Sequence, residues 1–190
     1  MNMQTPFPPF FIFTGGPGVG KSTTLQALKT RGYQTYPESA RSLIRGANNG
    51  LHDAHPKKNL LAFRDRILEK DIEFYKKALL EPQKIAFFDR AIVDILAFDI
   101  YRKVPPSKKI EELATKLVYN NKVFFFPPWR EIFATDPERE ETFEESIIAS
   151  RHVQNVYLEF GYELLEVPKG SVDSRVDWIL NSIKKIYYSP

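Results

Sequence analysis

A chain of 190 residues is long enough for one hydrophobic core, and 43% hydrophobic residues with 15 Phe and 9 Tyr supply the material for it, which excludes wholesale disorder. Its 27 basic and 24 acidic residues leave a formal charge of +3, too small and too dispersed for a nucleic-acid footprint, so no nucleic-acid partner is expected. The absence of cysteine removes disulfide scaffolds, thiolate zinc sites and cysteine nucleophiles.

In chain order, the first apolar run is 10–14, too short and too continuously apolar for an amphipathic helix. Strands buried on both faces read this way. Gly15-Gly16-Pro17-Gly18-Val19-Gly20-Lys21-Ser22 follows and matches G-x-x-x-x-G-K-[ST] at every fixed position. It lies between a strand and a helical pattern over 22–31, the context that gives the motif its meaning. Backbone N–H groups of such a loop turn inward to cradle phosphates, and the helix N-terminus adds positive charge. Gly15 to Ser22, with Thr23, are the expected nucleotide-binding residues. Lys21 is placed to reach the β- and γ-phosphates, and Ser22 to ligate Mg²⁺.

A second strand is expected over 33–36. Glu38 follows it and has two readings: a carboxylate that takes the proton of an acceptor hydroxyl, or a cap for a helix over 39–46. Arg41 stands one turn further on. His52, Asp53 and His55 fall in the irregular stretch 46–56 and read as loop residues, since no fourth metal ligand accompanies them. Apolar residues at three- and four-residue steps then predict a long helix over 59–81.

The third strand, 85–89, ends in Asp89. Beside a phosphate loop such an Asp holds Mg²⁺; it could also cap the helix that follows. Arg90 comes next, either orienting an acceptor or standing at the surface. The fourth strand, 123–126, leads into Pro127-Pro128-Trp129, where Trp129 serves either to stack on a ring or to pack the segment. Asn121-Lys122-Val123-Phe124 has Phe where a guanine-reading motif needs Asp, so a Ras-type GTPase is excluded. Asp136, Pro137 and three glutamates predict a helix over 136–160. Residues 127–150 form an expected lid, with Arg139, favoured over Arg130, reaching the transferred phosphoryl group. A fifth strand over 164–167 and a last helix over 172–187 complete the chain.

One helix is thus expected between the third and fourth strands, and residues 1–190 are expected to form a single domain. The alternation predicts a three-layer α/β fold with a five-stranded parallel sheet. No apolar run reaches membrane-spanning length, and residues 1–9, with three prolines, do not read as a signal peptide, so a cytoplasmic protein without membrane insertion is expected.

The ordered motifs Phe11-x-Phe13-Thr14-Gly15-Gly16-Pro17-Gly18-x-Gly20-Lys21-Ser22, Pro37-Glu38-Ser39-Ala40-Arg41 and Phe87-Phe88-Asp89-Arg90 carry a family likeness. So do Pro127-Pro128-Trp129-Arg130 and Thr135-Asp136-Pro137-Glu138-Arg139. Together they resemble the AAA-type ATPase-like family related to the kinase domain of ribosylnicotinamide kinase. The likeness runs from about Phe10 to Leu180. It implies a phosphate-loop kinase-like fold, binding of ATP or GTP with Mg²⁺, and an Arg90 that orients the acceptor, as in nucleoside and thymidylate kinases. The expected activity is phosphoryl transfer to a small hydroxyl-bearing, nucleoside-like acceptor. The alternative is a regulatory nucleotide-binding protein with slow or no turnover.

Overall fold

The computed structural model describes residues 7–82, 84–134 and 141–188. Five strands form one sheet: β1 (Phe10–Thr14), β2 (Gln34–Tyr36), β3 (Ala86–Asp89), β4 (Lys122–Phe125) and β5 (Glu163–Glu166). They run in the order β2-β3-β1-β4-β5, and every pairing is parallel. Among the described residues, seven α-helices connect and follow them: α1 (Lys21–Thr30), α2 (Ser39–Asn48), α3 (Leu60–Leu79), α4 (Ile92–Arg102), α5 (Lys108–Lys116), α6 (Phe143–Glu159) and α7 (Val172–Tyr188).

The pleat of β1 explains the layers. Phe10 and Ile12 face one core, packed with α3, α4, α5 and α6, whereas Phe11 and Phe13 face a second core, packed with α1 and α7. Successive side chains on a strand alternate faces. A strand covered on both sides therefore needs apolar residues at every position, and all five residues of β1 are buried. Phe13 and Phe87 approach to 5.4 Å between ring centroids, and Phe13 and Phe126 to 5.0 Å. The three-layer α/β fold with a five-stranded parallel sheet is the one the sequence predicts.

Two expectations are corrected. Between β3 and β4 the chain makes two helices rather than one. Lys103 turns left-handed (φ 54°) at the end of α4, and Pro105-Pro106 cannot continue a helix, so α5 restarts at Lys108 with Ile110 and Ala114 buried. The helix expected from 136 begins instead at Phe143, because Glu141 and Thr142 are not helical. Its start is a capping box: Thr142 Oγ1 accepts from the Glu145 N–H at 3.2 Å, and Glu145 Oε2 accepts from the Thr142 N–H at 2.7 Å. Asp136, Pro137, Glu138 and Arg139 lie outside the described residues. Among the described residues no helix is long and apolar enough to cross a membrane.

Candidate functional site

The carboxyl ends of β1, β2, β3 and β4 deliver the phosphate loop, Glu38, Asp89 and Trp129 to one edge of the sheet, where open α/β sheets bind ligands. The loop is tightly held. Lys21, only 3% exposed, curls back and donates to the carbonyls of Gly15 at 3.2 Å and Gly16 at 2.8 Å. Val19 is buried; Ser22 and Thr23 are exposed in the first turn of α1. From the other side, α6 clamps the loop. Ser150 Oγ accepts from the Gly16 N–H at 2.9 Å, and Ser146 Oγ donates to the Pro17 carbonyl at 2.6 Å. A Cβ on Gly16 would collide with the Ser146 carbonyl, so this approach requires glycine.

Ser22 and Asp89 meet, with Ser22 Oγ donating to Asp89 Oδ2 at 2.6 Å. Burial pushes the Asp89 carboxyl up from its ordinary value, with the Lys21 ammonium opposing the shift. Its Oδ1 is buried without a hydrogen-bond partner among the described residues. A hydroxyl beside a buried carboxylate with one orphaned oxygen fits a Mg²⁺ ion, which takes few protein ligands and keeps waters. Asp89 does not cap the next helix, because the Ala91 N–H at its start goes to Asp94 Oδ2 at 2.9 Å.

Arg90 links the groups around it. It holds a left-handed backbone (φ 75°), rare for a side chain with a Cβ, and its guanidinium donates from Nε to Glu38 Oε1 at 3.0 Å and from Nη1 to Asp94 Oδ1 at 3.1 Å. Burial alone would lower its pKa; Glu38, Asp94 and Asp89 outweigh it and raise the value, so Arg90 stays charged. Glu38 precedes α2, yet its carboxylate makes no cap hydrogen bond, and it faces Arg90 and Arg41 Nε (3.5 Å) instead. Asp94, 5% exposed, also accepts from Thr14 Oγ1 and Tyr157 OH, both at 2.6 Å. Its two oxygens thus serve four donors. Asp94→Ala is expected to cost about 3–5 kcal/mol, because it strands two buried hydroxyls and half of the Arg90 charge. Urea denaturation checks this, and a loss below about 1 kcal/mol would show that the hub is dispensable.

Across from the loop lies a cavity of about 590 Å³ that reaches from Pro17 to Glu38, Arg90, Asp71 and the rings of Phe63 and Phe98. Asp71, on α3, is 8% exposed and accepts from Ser39 Oγ at 2.5 Å. Burial raises its pKa from 3.8 to about 7, against the Ser39 hydrogen bond. The folded value lies above the unfolded one. The group therefore weakens the fold as pH rises from about 4 to about 7 and adds no further change above that. Asp71→Asn keeps an acceptor for Ser39 and cannot ionise. Its melting temperature is expected to match wild type near pH 4 and exceed it by several degrees at pH 8; parallel pH profiles would refute the assignment.

Sequence reasoning missed Asp94, Asp71, Ser146, Ser150 and Arg175. Arg175, at the start of α7, is 5% exposed; its Nη1 donates to the Gly20 carbonyl at 3.4 Å, and its guanidinium lies 5.7 Å from the Trp129 ring centroid. Trp129 thus packs on a buried cation beside the loop. The part of the expected lid that falls in α6 packs against the loop, and Phe133 and Ile132 approach Gly18 and Gly20. Arg130 turns away to Glu144 at 3.1 Å. His55 lines the cavity, and no group of three His, Cys, Asp or Glu residues able to hold a metal occurs among the described residues.

The AAA domain family matches residues 10–175. No curated protein matches the sequence significantly. Solved structures share the fold, three of them as follows. The NadR protein in complex with NR aligns with a TM-score of 0.69 and 15% identity, covering 97% of this chain and 52% of its own, so this chain spans about half of NadR. Thymidylate kinase from Ehrlichia chaffeensis aligns at 0.61 and 15% identity, covering 92% of this chain and 97% of its own. Shikimate kinase from Aquifex aeolicus aligns at 0.58 and 14% identity, covering 95% and 99%.

Proposed function

We propose, for a chain that belongs to the AAA domain family and has the fold of phosphate-loop nucleoside and nucleotide kinases, that it is an ATP-binding phosphotransferase acting on a small hydroxyl-bearing acceptor. One observation carries the reading: a single cavity runs from Pro17 of the phosphate loop to Glu38 and Arg90. A protein that only binds nucleotide has no need of a cavity that extends beyond the phosphate loop, and this favours transfer over the regulatory alternative.

In this reading the loop amides and Lys21 hold the β- and γ-phosphates of ATP or GTP, with Lys21 leaving the Gly15 and Gly16 carbonyls to do so. Ser22 and Asp89 would hold Mg²⁺, which when bound would supply positive charge against the phosphates. Glu38 orients the acceptor hydroxyl and receives its proton as the oxygen closes on phosphorus. Arg90 holds Glu38 in place. Arg139 is assigned to the charge on the transferred group.

The test is a phosphorylation screen with radiolabelled ATP, Mg²⁺ and a pool of small metabolites, read by chromatography and mass. Acceptor-dependent product supports the proposal. Tight nucleotide binding with no product, or hydrolysis indifferent to every acceptor, moves the assignment to the regulatory alternative.

A further inference from the structure

Two arginines of the interior face carboxylates: Arg90 lies between Glu38 and Asp94, and Arg64 lies 3.4 Å from Asp99. Arg175, 5% exposed, has no carboxylate partner among the described residues. Asp173, the acid of the same helical turn, reaches outward to Arg31 at 2.9 Å. The Gly20 carbonyl that Arg175 Nη1 approaches already accepts from the Thr24 N–H at 3.2 Å and from Thr24 Oγ1 at 3.0 Å. Arg175 Nε is buried with no hydrogen-bond partner among the described residues. Burial lowers the pKa of the guanidinium, and no carboxylate opposes the shift. The residue also stands in the first turn of α7, whose positive end disfavours a cation. A charge held this way destabilises the ligand-free protein. Such a cost is kept where function needs it.

Position says which ligand would relieve it. The strand order puts β2 and β3 on one side of β1, and β4 and β5 on the other. The cavity lies over the first side, reaching from Pro17 to Glu38 and Arg90, and Arg175 is not among its walls. Arg175 lies on the second side, between Gly20 of the loop and Trp129, which follows β4. A Cβ on Gly20 would collide with this guanidinium, so the glycine lets α7 deliver a cation to the loop. A triphosphate whose γ-phosphate meets an acceptor in the cavity directs its nucleoside end toward β4 and α7. The unpaired charge calls for an anion, and the anionic group at that end is the α-phosphate. The planar fork of a guanidinium suits phosphate oxygens, and the Trp129 ring beside it limits the orientations open to that fork.

We infer that Arg175 is a nucleotide-binding residue that meets the α-phosphate of the donor from the α7 side, while the loop and Lys21 hold the β- and γ-phosphates. The inference rests on the phosphotransferase reading for the direction of the triphosphate, but its test is one of binding and stability. The full chain and its Arg175→Met variant, which keeps the apolar stem and removes the charge, are titrated calorimetrically in Mg²⁺. The probes are a non-hydrolysable ATP analogue, inorganic tripolyphosphate and pyrophosphate. Tripolyphosphate supplies three phosphates without a nucleoside; pyrophosphate supplies only the two that Lys21 reaches.

Arg175→Met is expected to weaken the ATP analogue and tripolyphosphate about tenfold or more, and pyrophosphate by no more than about twofold. Arg175→Lys, which keeps a cation without the fork, should recover part of the loss. Without ligand, Arg175→Met should melt at or above wild type, because it removes a buried charge that has no partner. Equal losses for all three probes would make Arg175 a shaper of the loop, and a loss for the nucleotide alone would move its contact to the base or sugar. Either result overturns the inference, as does unaltered affinity or a ligand-free melt several degrees below wild type. A wild-type chain that binds no triphosphate overturns the nucleotide reading along with it. Phosphate transfer is read separately with ATP in place of the analogue. Binding that depends on Arg175 without transfer to any acceptor refutes the phosphotransferase reading alone, and transfer accompanied by equal losses refutes this inference alone.

Discussion

Glu38→Gln is expected to bind Mg·ATP as wild type does and to lose ~10²–10⁴ in single-turnover phosphate transfer. The structure narrows what the loss would mean. The Glu38 carboxylate caps nothing; it accepts from Arg90 Nε at 3.0 Å and faces Arg41. Phosphoryl transfer through a loose transition state demands little proton removal before the oxygen attacks. The larger task of Glu38 is to aim the acceptor hydroxyl. The glutamine keeps the size and one acceptor for Arg90 but loses the charge that draws the hydroxyl proton. The loss should therefore fall on the transfer rate, with acceptor KM changing only a few-fold. Wild-type transfer in this variant removes Glu38 from the chemistry. A collapse of ATP affinity would show instead that the Arg90 contact shapes the phosphate loop.

Lys21→Ala is expected to lower triphosphate affinity ~10²-fold, since it deletes charge-assisted hydrogen bonds worth about 1.5–3 kcal/mol each. The sequence alone points this lysine at the ligand rather than the core, so the fold is expected to survive its loss. The structure gives it a second task. Its ammonium bonds the Gly15 and Gly16 carbonyls, so the variant should also melt a few degrees below wild type without nucleotide. Calorimetric titration with ATP and a ligand-free thermal melt separate the two effects. Unchanged affinity refutes the loop assignment whatever the melt shows.

The parts of the site fixed by local spacing were readable from the residues. The loop was, because glycine and lysine must occupy set positions between a strand and a helix. Asp89 was, because an apolar run that ends in a carboxylate marks a strand reaching the sheet edge. Asp71 was not, although its signal was present: it stands between Ile67 and Tyr75 at four-residue steps on the core side of α3, where the pattern asks for an apolar residue. A carboxylate in such a stripe is buried by its neighbours and marks a polar site. The break between α4 and α5 was also visible in Pro105-Pro106. Ser146, Ser150 and Arg175 carried no local mark. Two serines four residues apart, or one arginine among 27 basic residues, acquire meaning only when α6 and α7 dock on the loop.

The two serine contacts from α6 have a thermodynamic consequence. A glycine-rich loop left to itself would sample many shapes, and a ligand that selected one would bear the ordering cost of about 1–2 kcal/mol per residue. Here Ser150 and Ser146 fix Gly16 and Pro17 from outside, so that cost is incurred when the chain folds and is not subtracted from nucleotide affinity. The rigidity comes from a helix more than a hundred residues away in sequence. A truncated chain ending after β4 would keep every residue of the motif and still present a floppy loop. Competence to receive a triphosphate should therefore depend on α6 being docked, and Ser146→Ala with Ser150→Ala should weaken triphosphate binding without touching the motif.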